Sequence, residues 1–116
     1  RVINIASVDG FTTPEFGTYS YSASKAGLIH LTRHLAKHLA KDDILVNSIA
    51  PGPFESKMME WTLENFRDQI IAQNPRRRIG TPEDIAGVSI FLASRASAYT
   101  TGCLITCDGG RSATLY

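Results

Sequence analysis

Three short apolar runs, set far apart and each closed by turn-forming residues, limit what this chain can fold into. Val2-Ile3-Asn4-Ile5-Ala6, the stretch from Ile44 to Ala50 and the stretch from Cys103 to Cys107 are nearly continuous in apolar character. Continuous runs of this kind suit strands covered on both faces, as in a parallel sheet. Asp9-Gly10, Pro51-Gly52-Pro53 and Asp108-Gly109-Gly110 close them, with residues that favour turns over extended backbone.

Between the runs the spacing becomes helical. Residues 19 to 41 contain no Pro and one Gly. At about 100° per residue, Tyr21, Lys25, Leu28, Thr32, Leu35, Ala36 and Leu39 share one face, and His30, His34, Lys37 and Lys41 occupy the other. Asp42-Asp43 end this helix. Residues 56 to 73 place Met59, Leu63, Phe66 and Ile70 on a second apolar stripe, closed by Asn74-Pro75. Thr81-Pro82-Glu83-Asp84 is a helix start, with Thr as cap, Pro at the first helical position and acids in the first turn; that helix runs to about Ala93. Strand, helix, strand, helices, strand predicts an α/β fold, with a parallel sheet, right-handed crossovers and helices on both faces. No repeat, low-complexity tract or linker divides the chain, so residues 1–116 are read as one domain or part of one.

Twelve basic against eleven acidic residues give a net charge of +1, so neither nucleic acid nor an anionic membrane is an expected partner. No run approaches the length of a membrane span and no basic-then-apolar signal opens the chain, which points to a cytoplasmic location. Cys103 and Cys107 fall on the third predicted strand, about 13 Å apart, beyond the reach of a disulfide. They are read as small buried apolar residues in a reducing compartment. His30, His34 and His38 recur at helical spacing, but they lie opposite the core face with no carboxylate or Cys to complete a site, and no metal is expected. Arg76-Arg77-Arg78 reads as a solvated connection that is also placed to meet a phosphate-bearing carrier.

Ligands of open parallel sheets bind outside the carboxyl ends of the strands, here Ser7, Pro51-Gly52 and Asp108-Gly109-Gly110. Only the first of these ends is followed by a helix that opens Tyr-x-x-x-Lys. Tyr21 and Lys25 are neighbours at i and i+4. A free phenol titrates near 10, so exchanging protons near neutrality requires a nearby cation that favours the phenolate. Ser7 adds a hydroxyl able to steady a substrate oxygen as charge develops on it.

The blocks Val2-Ile3-Asn4-Ile5-Ala6-Ser7, Tyr21-Ser22-Ala23-Ser24-Lys25-Ala26-Gly27 and Val46-Asn47-Ser48-Ile49-Ala50-Pro51-Gly52 resemble the short-chain dehydrogenase/reductase family, notably its 3-oxoacyl-carrier-protein-reductase-like members. Gly80-Thr81-Pro82-Glu83-Asp84-Ile85-Ala86, Phe91-Leu92-Ala93-Ser94, Thr101-Gly102 and Asp108-Gly109-Gly110 continue the match over nearly the whole chain. The resemblance implies a Rossmann-type doubly wound sheet and an oxidoreductase of a carbonyl/alcohol pair that uses NAD or NADP. It assigns Tyr21 as general acid/base, Lys25 to ease proton release from Tyr21 and hold the nicotinamide ribose, and Ser7 to orient the carbonyl. Pro51 and Gly52 are then expected beside the nicotinamide, the backbone near Phe54 at its carboxamide, and Ser56 against the cofactor where the family often has Thr. Asp108-Gly109-Gly110 is expected to be structural, and a dimer or tetramer is the expected assembly.

Ser7 stands fourteen residues before Tyr21, one more than the commonest family spacing, and Ala6 replaces a frequent Ser. A one-residue loop insertion accounts for the spacing, since Val8 has no hydrogen bond to give. Tyr19, the other candidate phenol, has no Lys four residues on. The family's glycine-rich phosphate loop, its Asn-Asn-Ala-Gly stretch and its catalytic Asn belong upstream of Arg1. The chain is therefore read as the C-terminal catalytic part of a single Rossmann-fold domain, with three strands and little capacity to bind cofactor alone. The alternative is a truncated, non-catalytic scaffold or interaction protein. Met58, Met59, Trp61, Leu63 and Phe66 follow the second strand end, where they serve either as core or as a lid over an apolar substrate. As a lid they fit a 3-oxoacyl thioester, a steroid-like ketone or another lipid-like carbonyl.

Overall fold

The middle strand sets the positions of all the others. In the computed structural model, which describes residues 1–114, β1 (Val2–Ile5), β2 (Val46–Pro51) and β3 (Leu104–Cys107) form one parallel sheet in the order β1-β2-β3. Val2 lies opposite Val46 and Ile5 opposite Ile49; Ser48 lies opposite Leu104 and Pro51 opposite Cys107. Val46, Ile49 and Ala50 have no exposed surface, and burying side chains the size of Val and Ile stabilises a fold by about 1.5–3 kcal/mol each. Only β2 is covered on both faces as its sequence predicts. β1 is an edge strand whose Val2 and Ile5 remain exposed, a correction to the expectation that its apolar run is buried throughout.

Helix α1 (Tyr19–Leu39) follows β1, and α2 (Glu60–Gln73) and α3 (Pro82–Ala93) lie between β2 and β3. In α1 the predicted inner face packs inward, with Thr32 and Ala36 buried, and His30, His34, Lys37 and Lys41 are exposed. Asp43 adopts a left-handed backbone, φ 59°, and stops it. Helix α2 begins four residues later than its spacing predicts, because Ser56 closes a separate turn by accepting the Met59 N–H on both its carbonyl and its hydroxyl. At the start of α3, the Asp84 carboxylate accepts from the Thr81 N–H at 2.7 Å and its hydroxyl at 3.1 Å, satisfying donors that a helix start leaves free.

Successive strand residues point to opposite faces, and two contacts assign those faces. Asn4 Nδ2 donates to Thr32 Oγ1 at 3.0 Å, so α1 covers the face that carries Asn4 and its register partner Ser48. Cys107, three residues beyond Ser48's partner Leu104, points the other way, and its Sγ lies 3.7 Å from the Asp84 carbonyl of α3. The helices thus cover both faces, as expected. With strand order stepping in one direction, however, crossovers over opposite faces have opposite hands, so uniformly right-handed crossovers are not found. The right-handed rule reflects a twisted strand feeding a helix that packs straight back onto the sheet, and one of the two connections here departs from it.

Cys103 precedes β3 and is exposed, whereas Cys107 is half-buried; both are free thiols. The expectation of two buried cysteines therefore fails at Cys103, which sits in the turn entering an edge strand.

Asn47, 1% exposed, joins β2 to that same turn. Its Nδ2 donates to the Thr100 carbonyl at 2.9 Å and its Oδ1 accepts from the Cys103 N–H at 3.0 Å. Asn47→Leu keeps the branched shape but adds bulk at a fully packed position and leaves the Thr100 carbonyl and the Cys103 N–H without their partner, and is expected to destabilise the protein by about 2–4 kcal/mol. A lower urea midpoint at unchanged m-value is the expected reading; an unchanged midpoint would show that the turn finds other partners.

Candidate active site

The carboxyl ends of β1 and β2 open into one cleft of about 1170 Å³. Ser7, Tyr21, Lys25, Pro51, Gly52, Phe54 and Ser56 all line it, so every site residue chosen from the sequence reaches the same space. Tyr19 does not line it, and its side chain is exposed to solvent. A second depression, of about 1030 Å³, follows α2 from Glu55 to Gln69; it includes Ser56 but none of Ser7, Tyr21 or Lys25.

Lys25 Nζ donates to the carbonyl of Ile5, the last residue of β1, at 2.9 Å, and lies 5.6 Å from the centre of the Tyr21 ring. One side chain thereby ties the start of α1 to the strand end and sets a cation beside the phenol. Ser7 is buried, and its Oγ accepts from the Asp9 N–H at 3.1 Å. That bond uses a lone pair and leaves the hydroxyl proton free to be donated. Gly10 lets the loop lie against the helix: a Cβ there would come within 2.8 Å of Ile29 Cδ1 and 2.9 Å of the Lys25 carbonyl carbon. Gly52 does the same at the other strand end, where a Cβ would meet Asp108 Cβ at 2.7 Å.

Several cleft residues escaped the sequence reading. Asp9, Arg67, Arg77, Arg78 and Arg111 also line the cleft. In the sequence Asp9 looks like loop punctuation, and its place two residues after Ser7 is the one signal that sets it apart. The basic run is not simply solvated, since Arg78 grips Asp84 through two bonds of 2.6 and 2.9 Å. Arg67 pairs with Glu55 at 2.7 Å, and Arg111 donates to Gln73 Oε1 at 2.9 Å. The candidate lid divides: Met58 and Met59 face the cleft, Leu63 is core, and Phe66 meets the rings of Phe16 and Trp61 at 5.9 Å each. Asp108-Gly109-Gly110 is structural, as its carboxylate accepts from the Gly110 and Ser112 N–H groups and both glycines have positive φ. Among the described residues, no three His, Cys, Asp or Glu side chains cluster as metal ligands, and no helix is long and apolar enough to cross a membrane.

Comparison with known proteins places these features in a wider set. Residues 1–112 match the sequence model of the family described as Enoyl-(Acyl carrier protein) reductase. The chain is 44% identical over 110 residues to the 3-oxoacyl-[acyl-carrier-protein] reductase FabG of Aquifex aeolicus, covering 95% of this chain and 44% of that protein. It thus spans less than half the length of this curated relative. Among solved structures, the Pseudomonas aeruginosa RhlG/NADP active-site complex matches with a TM-score of 0.90 and 43% identity, over 97% of this chain and 44% of that one. A putative NAD(P) dependent gluconate 5-dehydrogenase from Beutenbergia cavernae, with bound NADP at low occupancy, matches with a TM-score of 0.93 and 34% identity, over 98% and 46%.

The ionisable groups around the cleft fall into two kinds. The hydrogen bonds from Arg78, helped by Thr81, hold the Asp84 carboxyl far below the usual range. Burial opposes ionisation of Asp108, but hydrogen bonds from Ser112 and Gly110 outweigh it and leave that carboxyl low. Burial and the nearby Asp84 and Asp108 charges push the Cys107 thiol up, away from the reactive thiolate. Asp9 is different: burial raises its pKa and Arg111 offsets this only in part. A carboxyl raised on folding holds its proton more tightly in the folded state. Its stabilising contribution is complete below the unfolded value, near 3.9, and is lost as pH rises through the folded value. Asp9→Asn is therefore expected to raise the melting temperature at pH 7, by a margin that shrinks to nothing as pH falls below the ordinary Asp range. A melting temperature unchanged or lowered at pH 7 would show that the Asp9 charge is compensated.

Proposed function

This chain belongs to the short-chain dehydrogenase/reductase family, and from that premise we propose that it carries the acid/base machinery of an NAD(P)-dependent oxidoreductase. The reaction interconverts a carbonyl and a secondary alcohol. The observation that carries this reading is the convergence of Tyr21, Lys25 and Ser7 on one cleft at the carboxyl ends of β1 and β2.

The donor set fits a nicotinamide nucleotide. Lys25 spends one N–H on Ile5 and keeps two for ribose hydroxyls, while Pro51, Gly52, Phe54 and Ser56 line the same cleft. The NADP named in both solved relatives supports the same assignment. A reduced nicotinamide held there would supply the hydride that, with a proton from the protein, turns C=O into CH–OH.

Tyr21 gives its phenolic proton to the substrate oxygen in reduction and takes it back in oxidation. Lys25, held by its bond to the Ile5 carbonyl, keeps a positive charge beside the Tyr21 ring, 5.6 Å from its centre, as the proton leaves. Ser7 holds the carbonyl with the hydroxyl proton that its bond from Asp9 N–H leaves free, stabilising charge on the oxygen as it develops. Met58, Met59, Ile71 and Ile79 give the cleft an apolar side, which suits a carbonyl attached to a hydrocarbon or acyl group.

In the natural full-length protein, Tyr21→Phe is expected to lower kcat by roughly 10³-fold or more, within the range that general acid catalysis supplies. Nicotinamide-nucleotide affinity, read by fluorescence titration, should change only a few-fold. Turnover retained in the variant would defeat the assignment.

A further inference from the structure

We propose that Asp9 selects substrates that carry a hydroxyl beside the reacting carbonyl, by accepting the hydrogen bond of that hydroxyl on its carboxylate. The inference rests on the oxidoreductase reading of this cleft and adds a substrate class to it: hydroxy ketones and the vicinal diols that their reduction yields.

Position is the first argument. Asp9 lines the cleft with Tyr21 and Lys25, and its N–H holds the oxygen of Ser7, the side chain assigned to the carbonyl. The carboxylate therefore belongs to the residue nearest in the chain whose charge can meet a group next to that carbonyl.

Lack of a partner is the second. The other acid lining this cleft, Glu55, is paired with Arg67. Among the described residues no donor bonds the Asp9 carboxylate, and Arg111, whose charge it senses, donates instead to Gln73. The Asp9 carboxylate lines the open cleft and no donor among the described residues has taken it, so a donor on a bound molecule meets a free acceptor there.

Chemistry supplies the class. An ionised carboxylate accepts hydrogen bonds and donates none. It welcomes a hydroxyl at this place, leaves an unsubstituted ketone with a desolvated charge facing hydrocarbon, and repels a substrate carboxylate. The apolar side formed by Met58, Met59, Ile71 and Ile79 takes the remainder of the molecule.

The test compares acetoin with butanone in the natural full-length protein, with both NADH and NADPH supplied, against Asp9→Val and Asp9→Asn. The ratio of kcat/KM for acetoin to that for butanone is expected to fall about 10- to 100-fold in Asp9→Val, the range for a hydrogen bond to a charged group. Asp9→Asn, whose amide oxygen still accepts, should recover part of it. Binding is read separately by calorimetry as the preference for butanediol over butanol, which the parent should show and Asp9→Val should lose. Turnover of both ketones with the same ratio in parent and Asp9→Val overturns this proposal alone, as does an equal diol preference in the two proteins. Diol preference that depends on Asp9, without turnover of either ketone, upholds the Asp9 site and counts against the oxidoreductase reading.

Discussion

Burial of β2 from Val46 to Ala50, between α1 on one face and α3 on the other, is the constraint on which the rest of this structure depends. Val46, Ile49 and Ala50 lose all contact with water, and Asn47 and Ser48, buried with them, must find partners inside the protein. Asn47 meets this requirement by binding the turn that leads into β3, so the polar residue in the core fixes where the third strand begins. A parallel sheet brings the carboxyl ends of its strands to one side. Burial of the middle strand therefore determines where the loops after Ser7 and Pro51 meet.

The cleft between those loops combines tight packing with exposed chemistry. Gly10 and Gly52 are positions where backbone approaches backbone or side chain too closely for a Cβ, and each lies beside a residue assigned to the site. Lys25 is fixed by a single bond to the end of β1, which sets its distance from Tyr21 without using all its donors. Asp84 and Asp108, by contrast, have every incentive to remain ionised and serve the scaffold: one anchors the start of α3 and the other closes the turn after β3. The difference between these satisfied carboxylates and Asp9 separates groups that hold the fold from one that faces the ligand space.

Much of this was legible in the sequence, for identifiable reasons. The continuous apolar runs gave three parallel strands because period and composition are local properties. The Thr81-Pro82-Glu83-Asp84 start was readable because capping is local too. The spacing of Tyr21 and Lys25 placed both on the inner face of α1, and strand ends pointed to the site. Exposure of β1 was not legible, because an apolar run looks the same at an edge as in the middle of a sheet. Nor was the delayed start of α2, where Ser56 competes for the backbone with a turn of its own.

The sequence by itself determined the α/β class, the strand and helix order, the family resemblance and a set of seven residues that share one cleft. All of these depend on patterns along the chain or on spacing within one helix. Tertiary structure alone decided that the two crossovers take opposite faces and so opposite hands, and that Met58 and Met59 part company with Leu63. It also decided that Asp9, Arg67, Arg77, Arg78 and Arg111 gather there. Those residues come from four separate segments of the chain, and no periodicity in a chain reports which distant segments its buried strands will bring together.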